Sequence, residues 1–297
     1  MTNILVTGIA VVDFVLKVEE MPSTPEKYWT EEAAIVGGGC AANAAVAIAR
    51  HGATAKLAAR MGDDVIGDLI LGELESEGVD TSLVHRAEGG KSSFSSIYVD
   101  RQGERQVVNF RGNDLIQGTD WLETGETFDV VLADNRRSPI LEKSMQIARA
   151  RDVPGVVDAE HEVDPDALRD ATHIAFSHQG ITEMTGIASI HDALTEVSRT
   201  YEAFVCATHG AEGTYFVDGK TIENIPAPQV DVVDTLGAGD IWHGLFALRL
   251  AETGSETNAI TFANAGAALK CTKFGGRLGC PTRDETERFM QENGLCN

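Results

Sequence analysis

Residues 233–244 read Val-Asp-Thr-Leu-Gly-Ala-Gly-Asp-Ile-Trp-His-Gly, and this stretch decides how the rest of the chain is read. Apolar residues precede it at Val230, Val232 and Val233. A periodic set follows it at Ile241, Leu245, Leu248 and Leu250, so a helix begins at the glycines. The N–H groups of a first helical turn have no intrahelical partner and carry the positive end of the helix dipole. Gly237, Ala238 and Gly239 add no bulk that would keep an anion away. Asp240 is then out of place beside a resting phosphate, which would repel it. Its presence points to a base that accepts a proton while the turn neutralises charge arriving on a phosphoryl group. The plainer alternative is a carboxylate that only stabilises the helix dipole. On the same reasoning, a β-branched residue at Gly239 is expected to crowd the turn and to strain its backbone.

Working outward, 297 residues suffice for one large core with a small appendage. No apolar run approaches the roughly 18 residues of a membrane span, and the N-terminus lacks the basic flank and cleavage site of a secretory signal. Cys40, Cys206, Cys271, Cys280 and Cys296 are scattered without a Cys-x-x-Cys pair, which argues against zinc and against a disulfide framework. A reducing cytoplasm is the expected compartment, with no membrane partner. The net charge of -22 opposes binding to nucleic acid, so an anionic small molecule has to meet a local basic pocket.

Apolar runs alternate with helix-period segments. Strands are expected over 4–9, 55–59, 130–133, 156–157, 174–176 and 204–207, and helices over 41–51, 65–77 and 140–150 and from Ile241 and Thr257. This rhythm predicts an α/β fold, doubly wound, with a largely parallel sheet covered by helices on both faces and ligands beyond the carboxyl ends of its strands. Residues 14–32 and 92–111 break the rhythm with strand-like alternation. The second folds about Asp100-Arg101-Gln102-Gly103 as a hairpin. We therefore divide the chain into a core of 1–13, 34–91 and 112–297 and a small β piece of 14–33 and 92–111.

Three landmarks share an order with one family. The segment from Asp234 to Asp240, the run Gly37-Gly38-Gly39-Cys40-Ala41-Ala42-Asn43-Ala44-Ala45, and the opening strand Val6-Thr7-Gly8-Ile9-Ala10-Val11-Val12-Asp13 together resemble the ribokinase-like (PfkB) carbohydrate kinases across nearly the whole chain. The resemblance implies that Asp240 deprotonates a sugar hydroxyl for attack on the γ-phosphoryl of ATP while Gly237, Ala238 and Gly239 hold the developing charge. It also implies that Gly38 and Gly39 bring backbone to the sugar, and that Asp13 and Asn43 bind its hydroxyls. The small β piece becomes a lid over the sugar, and in the family it often forms the contact of a homodimer. Thr208-His209-Gly210-Ala211-Glu212-Gly213 resembles the family's phosphate and ribose loop, so Thr208, Gly210 and Gly213 are nucleotide candidates. Asn264 and Gly275 match regions that border adenine.

Mg²⁺ is expected as cofactor, and a monovalent cation is a further candidate. The Asn-x-x-Glu element that many members carry near the magnesium is replaced here by Ser177-His178-Gln179-Gly180, which leaves the metal ligands unassigned. Cys40 stands where ketohexokinase-like members carry a sugar-binding Asn, and we read it as a small buried residue.

For the substrate, Lys27, Asn109 and Arg136, with Lys91-Ser92-Ser93, Gly103-Glu104-Arg105 and the segment Ala267 to Arg277, are similar to the sulfofructose kinases of the family. In those a Lys, an Asn and an Arg hold the sulfonate of 6-deoxy-6-sulfofructose, which is phosphorylated at its 1-hydroxyl. The rivals are a fructokinase or another ketose, ribose or nucleoside kinase, a non-catalytic sugar or nucleotide sensor on the same fold, and a dinucleotide oxidoreductase using Gly37 to Ala42. No Gly-x-x-x-x-Gly-Lys-Ser/Thr element is present, so the chain is not a P-loop enzyme.

Overall fold

The structure, a computed structural model, describes every residue except 1, 31, 103, 296 and 297. In chain order the strands are β1 (Asn3–Thr7), β2 (Val11–Lys17), β3 (Glu32–Gly38), β4 (Thr54–Ala58), β5 (Arg60–Gly62), β6 (His85–Ala87), β7 (Phe94–Val99), β8 (Arg105–Phe110), β9 (Val130–Asp134), β10 (Gly155–Ala159), β11 (His173–Ser177), β12 (Phe204–Thr208), β13 (Thr214–Asp218) and β14 (Thr221–Ile225). The helices are α1 (Cys40–Arg50), α2 (Val65–Ser76), α3 (Ser138–Ala150), α4 (His178–Thr185), α5 (Ile190–Thr200), α6 (Ala238–Thr253), α7 (Glu256–Cys271) and α8 (Arg283–Glu292).

An eight-stranded sheet runs β14-β13-β12-β11-β10-β9-β1-β4, parallel except where β13 meets β12 and β14. Its strands read as unbroken apolar runs because each serves two cores at once. In β1, Ile4 and Val6 face a cluster that includes α1, α6 and α7, and Leu5 faces a second one with α3 and α5. In β9 the same alternation sends Val130 and Leu132 one way and Val131 and Ala133 the other. Helix α6 is buried on nearly all sides. Gly244 lets it approach α1, since a Cβ there would stand 2.6 Å from the Ala44 carbonyl oxygen.

The second sheet, β3-β2-β7-β8, has four strands, and a short parallel pair joins β5 and β6. The expected hairpin is the β7–β8 pair; Gly103 of its turn lies outside the described residues, as does Cys296. The alternation expected over 14–32 is interrupted: β2 ends at Lys17 and β3 starts at Glu32. Strand β3 then runs on through Gly37 and Gly38, so the glycine run belongs to the small sheet before it opens α1. Pairing places Val36, Asp13, Ser95 and Asn109 side by side in one row, directed to the same face. Arg105 of β8 reaches back to the large sheet's side and pairs with Asp234 at 3.0 Å.

Among the described residues no helix is long and apolar enough to cross a membrane.

Candidate active site

Two cavities meet at the first turn of α6. One, of ≈ 390 Å³, is bounded by the small sheet and the start of α1; Asp13, Asn43, Asn109, Arg136, Gly237 and Asp240 line it. The other, of ≈ 240 Å³, lies toward β12–β14 and α7, with Thr208, Gly210, Gly213, Ala238, Gly239 and Asn264 in its wall. The first and fourth residues of one turn thus face one chamber and the two between them the other, a consequence of the 100° rotation per helical residue.

Gly237 caps the helix in the left-handed region at φ 74°, a conformation that favours glycine. The positive φ therefore falls at Gly237 and not at Gly239, which corrects the expectation of strain there. Gly239 is helical, and a Cβ on it would meet only Glu160 Oε1, at 3.5 Å. The Ala238 N–H donates to the Thr235 carbonyl at 3.2 Å, which takes it out of the expected anion site in this state. The N–H groups of Gly237, Gly239 and Asp240 meet no protein acceptor among the described residues.

Asp240 is held from the opposite side by Asn43, whose Nδ2 donates to Asp240 Oδ2 at 2.6 Å. Asn43 is buried in α1, and its own Oδ1 has no protein partner, so an acceptor stands free beside Asp240. Asp13 projects from β2 beside Ser95, and burial pushes its carboxyl above the usual range, against a hydrogen bond from Ser95 and the charge of Arg277. Gly38 has to be glycine, because a Cβ there would stand 2.3 Å from Asp13 Oδ2; Gly38 makes room for Asp13 without lining the cavity itself. Gly39 caps α1 at φ 95° and lines the cavity.

Beneath the turn sits a group of buried acids that sequence reasoning missed. Asp134 and Asp158 end β9 and β10, the carboxyl-end position where ligands of such sheets bind, and that was the available signal. Burial raises Asp134 to about 6, although its carboxylate accepts from the N–H groups of Ile9 and Arg136. Burial, with Glu160 and Asp240 beside it, holds Asp158 well above the usual carboxylate range. Arg136 answers this charge. Its Nη2 donates to Glu160 at 2.8 Å and lies 3.8 Å from Cys40 Sγ. Burial works against its charge, but its neighbours outweigh this and hold the guanidinium cationic. Cys40 is buried as expected, and burial keeps its thiol protonated.

His243 is also buried. Its Nδ1 lies 2.8 Å from the carbonyl of Gly239, the oxygen of the very peptide whose N–H belongs to Asp240, and it braces the turn from within. Cys40 Sγ and one oxygen each of Asp158 and Asp240 lie within 4.8 Å of one another. Asp158 Oδ1 has no hydrogen-bond partner. The two carboxylates suit a hard cation such as Mg²⁺, and the protonated thiol does not.

On the other side, Gly213 follows β12 at φ 89°, and a Cβ there would stand 2.1 Å from the Ile225 carbonyl oxygen. Asn264 lines the second cavity, but its polar atoms are engaged by Thr214, Trp242 and Ile225, so it offers the chamber a wall. Gly275 lines neither cavity; its N–H and that of Gly276 donate to Asp234, which also faces the buried Lys270. Lys27 is exposed between β2 and β3 and lines neither cavity. Arg277, buried to 1 % exposure, fills the space left by Gly37 and pairs with Glu73 at 2.7 Å.

The sequence model described as pfkB family carbohydrate kinase matches residues 1–283. The chain is 29% identical to the ribokinase of Bacillus subtilis (strain 168) over 297 residues, covering 98% of this chain and 100% of the relative. It is 29% identical to the ATP-dependent ribose-1-phosphate kinase of Halopiger xanaduensis, covering 98% and 99%. Among solved structures, a putative ribokinase from Agrobacterium tumefaciens superposes with a TM-score of 0.90 at 35% identity, covering 100% of this chain and 99% of that one.

Proposed function

The chain therefore belongs to the pfkB family of carbohydrate kinases, and we propose that it transfers the γ-phosphoryl group of ATP to a sugar hydroxyl, with 6-deoxy-6-sulfofructose, phosphorylated at its 1-hydroxyl, as the substrate. The observation that carries the phosphoryl-transfer reading is the division of one helical turn between two chambers. Asp240 and Gly237 face the chamber with Asp13 and Asn43, and Ala238 and Gly239 face the one with Thr208 and Gly213. A donor on one side and an acceptor on the other meet across the free N–H groups, as an in-line displacement needs.

On the acceptor side, Asp13 accepts from sugar hydroxyls, which suits a carboxylate with two oxygens. Asp240 takes the proton of the attacking hydroxyl, oriented by Asn43. The N–H groups of Gly237, Gly239 and Asp240 stabilise charge that develops on the phosphoryl oxygens. Mg²⁺ bound with the nucleotide would neutralise part of that charge, and Asp158 beside Asp240 is the carboxylate left to hold it once Asp240 serves as base. The small sheet, read as a lid, keeps water from the phosphoryl group.

An anionic sugar is favoured by Asn109 and Arg136, which share a cavity with the base. The Halopiger relative, by its name, also takes an anionic sugar. Lys27 would join them only if the segment around it, exposed between β2 and β3, moves inward. The test is a coupled assay for ADP release with sulfofructose, fructose, fructose 6-phosphate, ribose and adenosine. Highest kcat/KM on sulfofructose is expected. A preference for ribose or fructose would replace the sulfosugar reading with a neutral-sugar kinase, and no turnover on any would remove the kinase reading.

A further inference from the structure

A recess of ≈ 20 Å³, room for about one water, opens off the sugar chamber, and its wall carries Arg60, Arg111 and Arg137. Ser93, Arg111 and Arg137 line both spaces, so the recess continues the chamber rather than standing apart from it. The chain has 46 acidic against 24 basic side chains, and several of its arginines use that excess. Arg50 faces Glu77, Arg105 faces Asp234, Arg136 faces Glu160, and Arg277 faces Glu73. Arg60 and Arg137, both half-buried, and the exposed Arg111 form no ion pair among the described residues.

Three cations brought together without a counter-charge repel one another, and an acidic protein has abundant means to prevent that. Burial and the charge of Arg137 both act to lower the pKa of Arg60, and no carboxylate opposes them. Arg60 is fixed by a bond from its Nη1 to the Ile116 carbonyl. Arg137 precedes α3, and its side chain makes no cap bond, so its guanidinium is uncommitted. An oxyanion is the ligand that relieves this arrangement: guanidinium groups match the oxygens of a sulfonate or phosphate two at a time, and Ser93 adds a hydroxyl donor.

We infer that Arg111 and Arg137, with Ser93, form an oxyanion subsite on the wall of the chamber, with Arg60 behind them adding its charge, and that it receives the charged end of the sugar whose other end meets Asp240. The assignment rests on the kinase reading above and extends it. Arg136, already engaged by Glu160, lines the sugar chamber, and the uncommitted arginines beyond it take the anion.

The subsite is tested on the full chain with Arg111→Gln, Arg137→Gln and the double variant, and with Arg169→Gln as a control at an exposed arginine that lines none of these cavities. Two readouts are used. The first is kcat/KM for sulfofructose, fructose 6-phosphate and fructose. Each variant of Arg111 or Arg137 is expected to lose about 10-fold or more on the anionic sugars and less than about 3-fold on fructose. The ratio between sulfonate and phosphate shows which oxyanion fits better. The second is calorimetric binding of inorganic sulfate without nucleotide or sugar, expected in the wild-type chain and in Arg169→Gln and lost in the double variant. Equal losses on charged and neutral sugars, or sulfate binding that is absent in the wild type or unchanged in the double variant, overturns the subsite. Sulfate binding that follows the arginines, in a chain that phosphorylates no sugar, overturns the kinase reading and leaves the subsite standing.

Discussion

Asp240→Asn removes a proton acceptor and leaves the shape of the turn intact, and the structure sets how its effects divide. Asn43 donates to Asp240 Oδ2 at 2.6 Å, and an Asn at 240 still presents a carbonyl oxygen to that donor, so the side chain keeps its place. Asp240 lines the chamber of Asp13 and Asn109, whereas Thr208, Gly213, Ala238 and Gly239 line the other. Nucleotide binding is therefore expected to change less than about threefold. Sugar affinity should hold as well, because Asp13 and Asn109 remain. The loss falls on kcat. Removing a positioned base commonly lowers the rate by about 10²–10⁴, or roughly 3–5 kcal/mol of activation free energy. The assay is steady-state ADP release at saturating sugar and ATP, with nucleotide affinity measured separately by calorimetry. A variant that keeps more than a third of wild-type kcat would refute the assignment of Asp240 as base. A large loss in nucleotide affinity with kcat preserved would refute the division of the turn between two chambers.

Other expectations follow from single contacts. Arg136→Ala leaves Glu160 unpaired at the edge of the sugar chamber and should cost an anionic sugar about 30-fold or more in kcat/KM, well beyond its effect on fructose; equal losses would mean that Arg136 serves Glu160 alone. Gly239→Ala should retain most activity, because its backbone is helical and its Cβ has room, whereas Gly237→Val meets the left-handed φ and crowds Asn43, and should lower kcat by more than tenfold. Comparable activity in the two variants would contradict the placement of the strained residue. His51 is fully buried between the Ala47 carbonyl and Thr286, and burial pushes its pKa down to about 4. The unfolded chain takes up this proton first as pH falls, so the stability held by neutral His51 is complete above about pH 6.5 and is lost toward pH 4, by roughly 3 kcal/mol. Urea midpoints at pH 7 and 4.5 should converge in His51→Gln, and an unchanged pH slope would exclude His51 as the source.

The core of the fold was legible because its strands and helices carry their own periodicity. Continuous apolar runs such as 130–133 have no other use than a doubly covered sheet, and glycines at 52 and 78 mark helix ends by their backbone freedom. The small sheet was harder to bound. Its strands β2 and β3 are half exposed, and the connection between them keeps apolar residues at Val18, Met21, Tyr28 and Trp29, so alternation alone could not say where pairing stops.

By itself the sequence determined the fold class and the turn at 237–240, and it marked the carboxylate we propose as base within that turn, since these rest on residues adjacent in the chain. Spacing along one helix already fixes which groups share its first turn. Tertiary structure decided everything that depends on residues far apart in the chain. It set Asn43 against Asp240 across 197 positions. It spent the guanidinium of Arg136 on Glu160, closed the polar groups of Asn264 within the protein, and left Lys27 outside both chambers. It also gathered Arg60, Arg111 and Arg137, from three separate parts of the chain, into one recess. A charge's partner is a matter of distance in space. Local sequence carries no record of that distance, so the commitment of each cation could be read only once the sheets had brought their ends together.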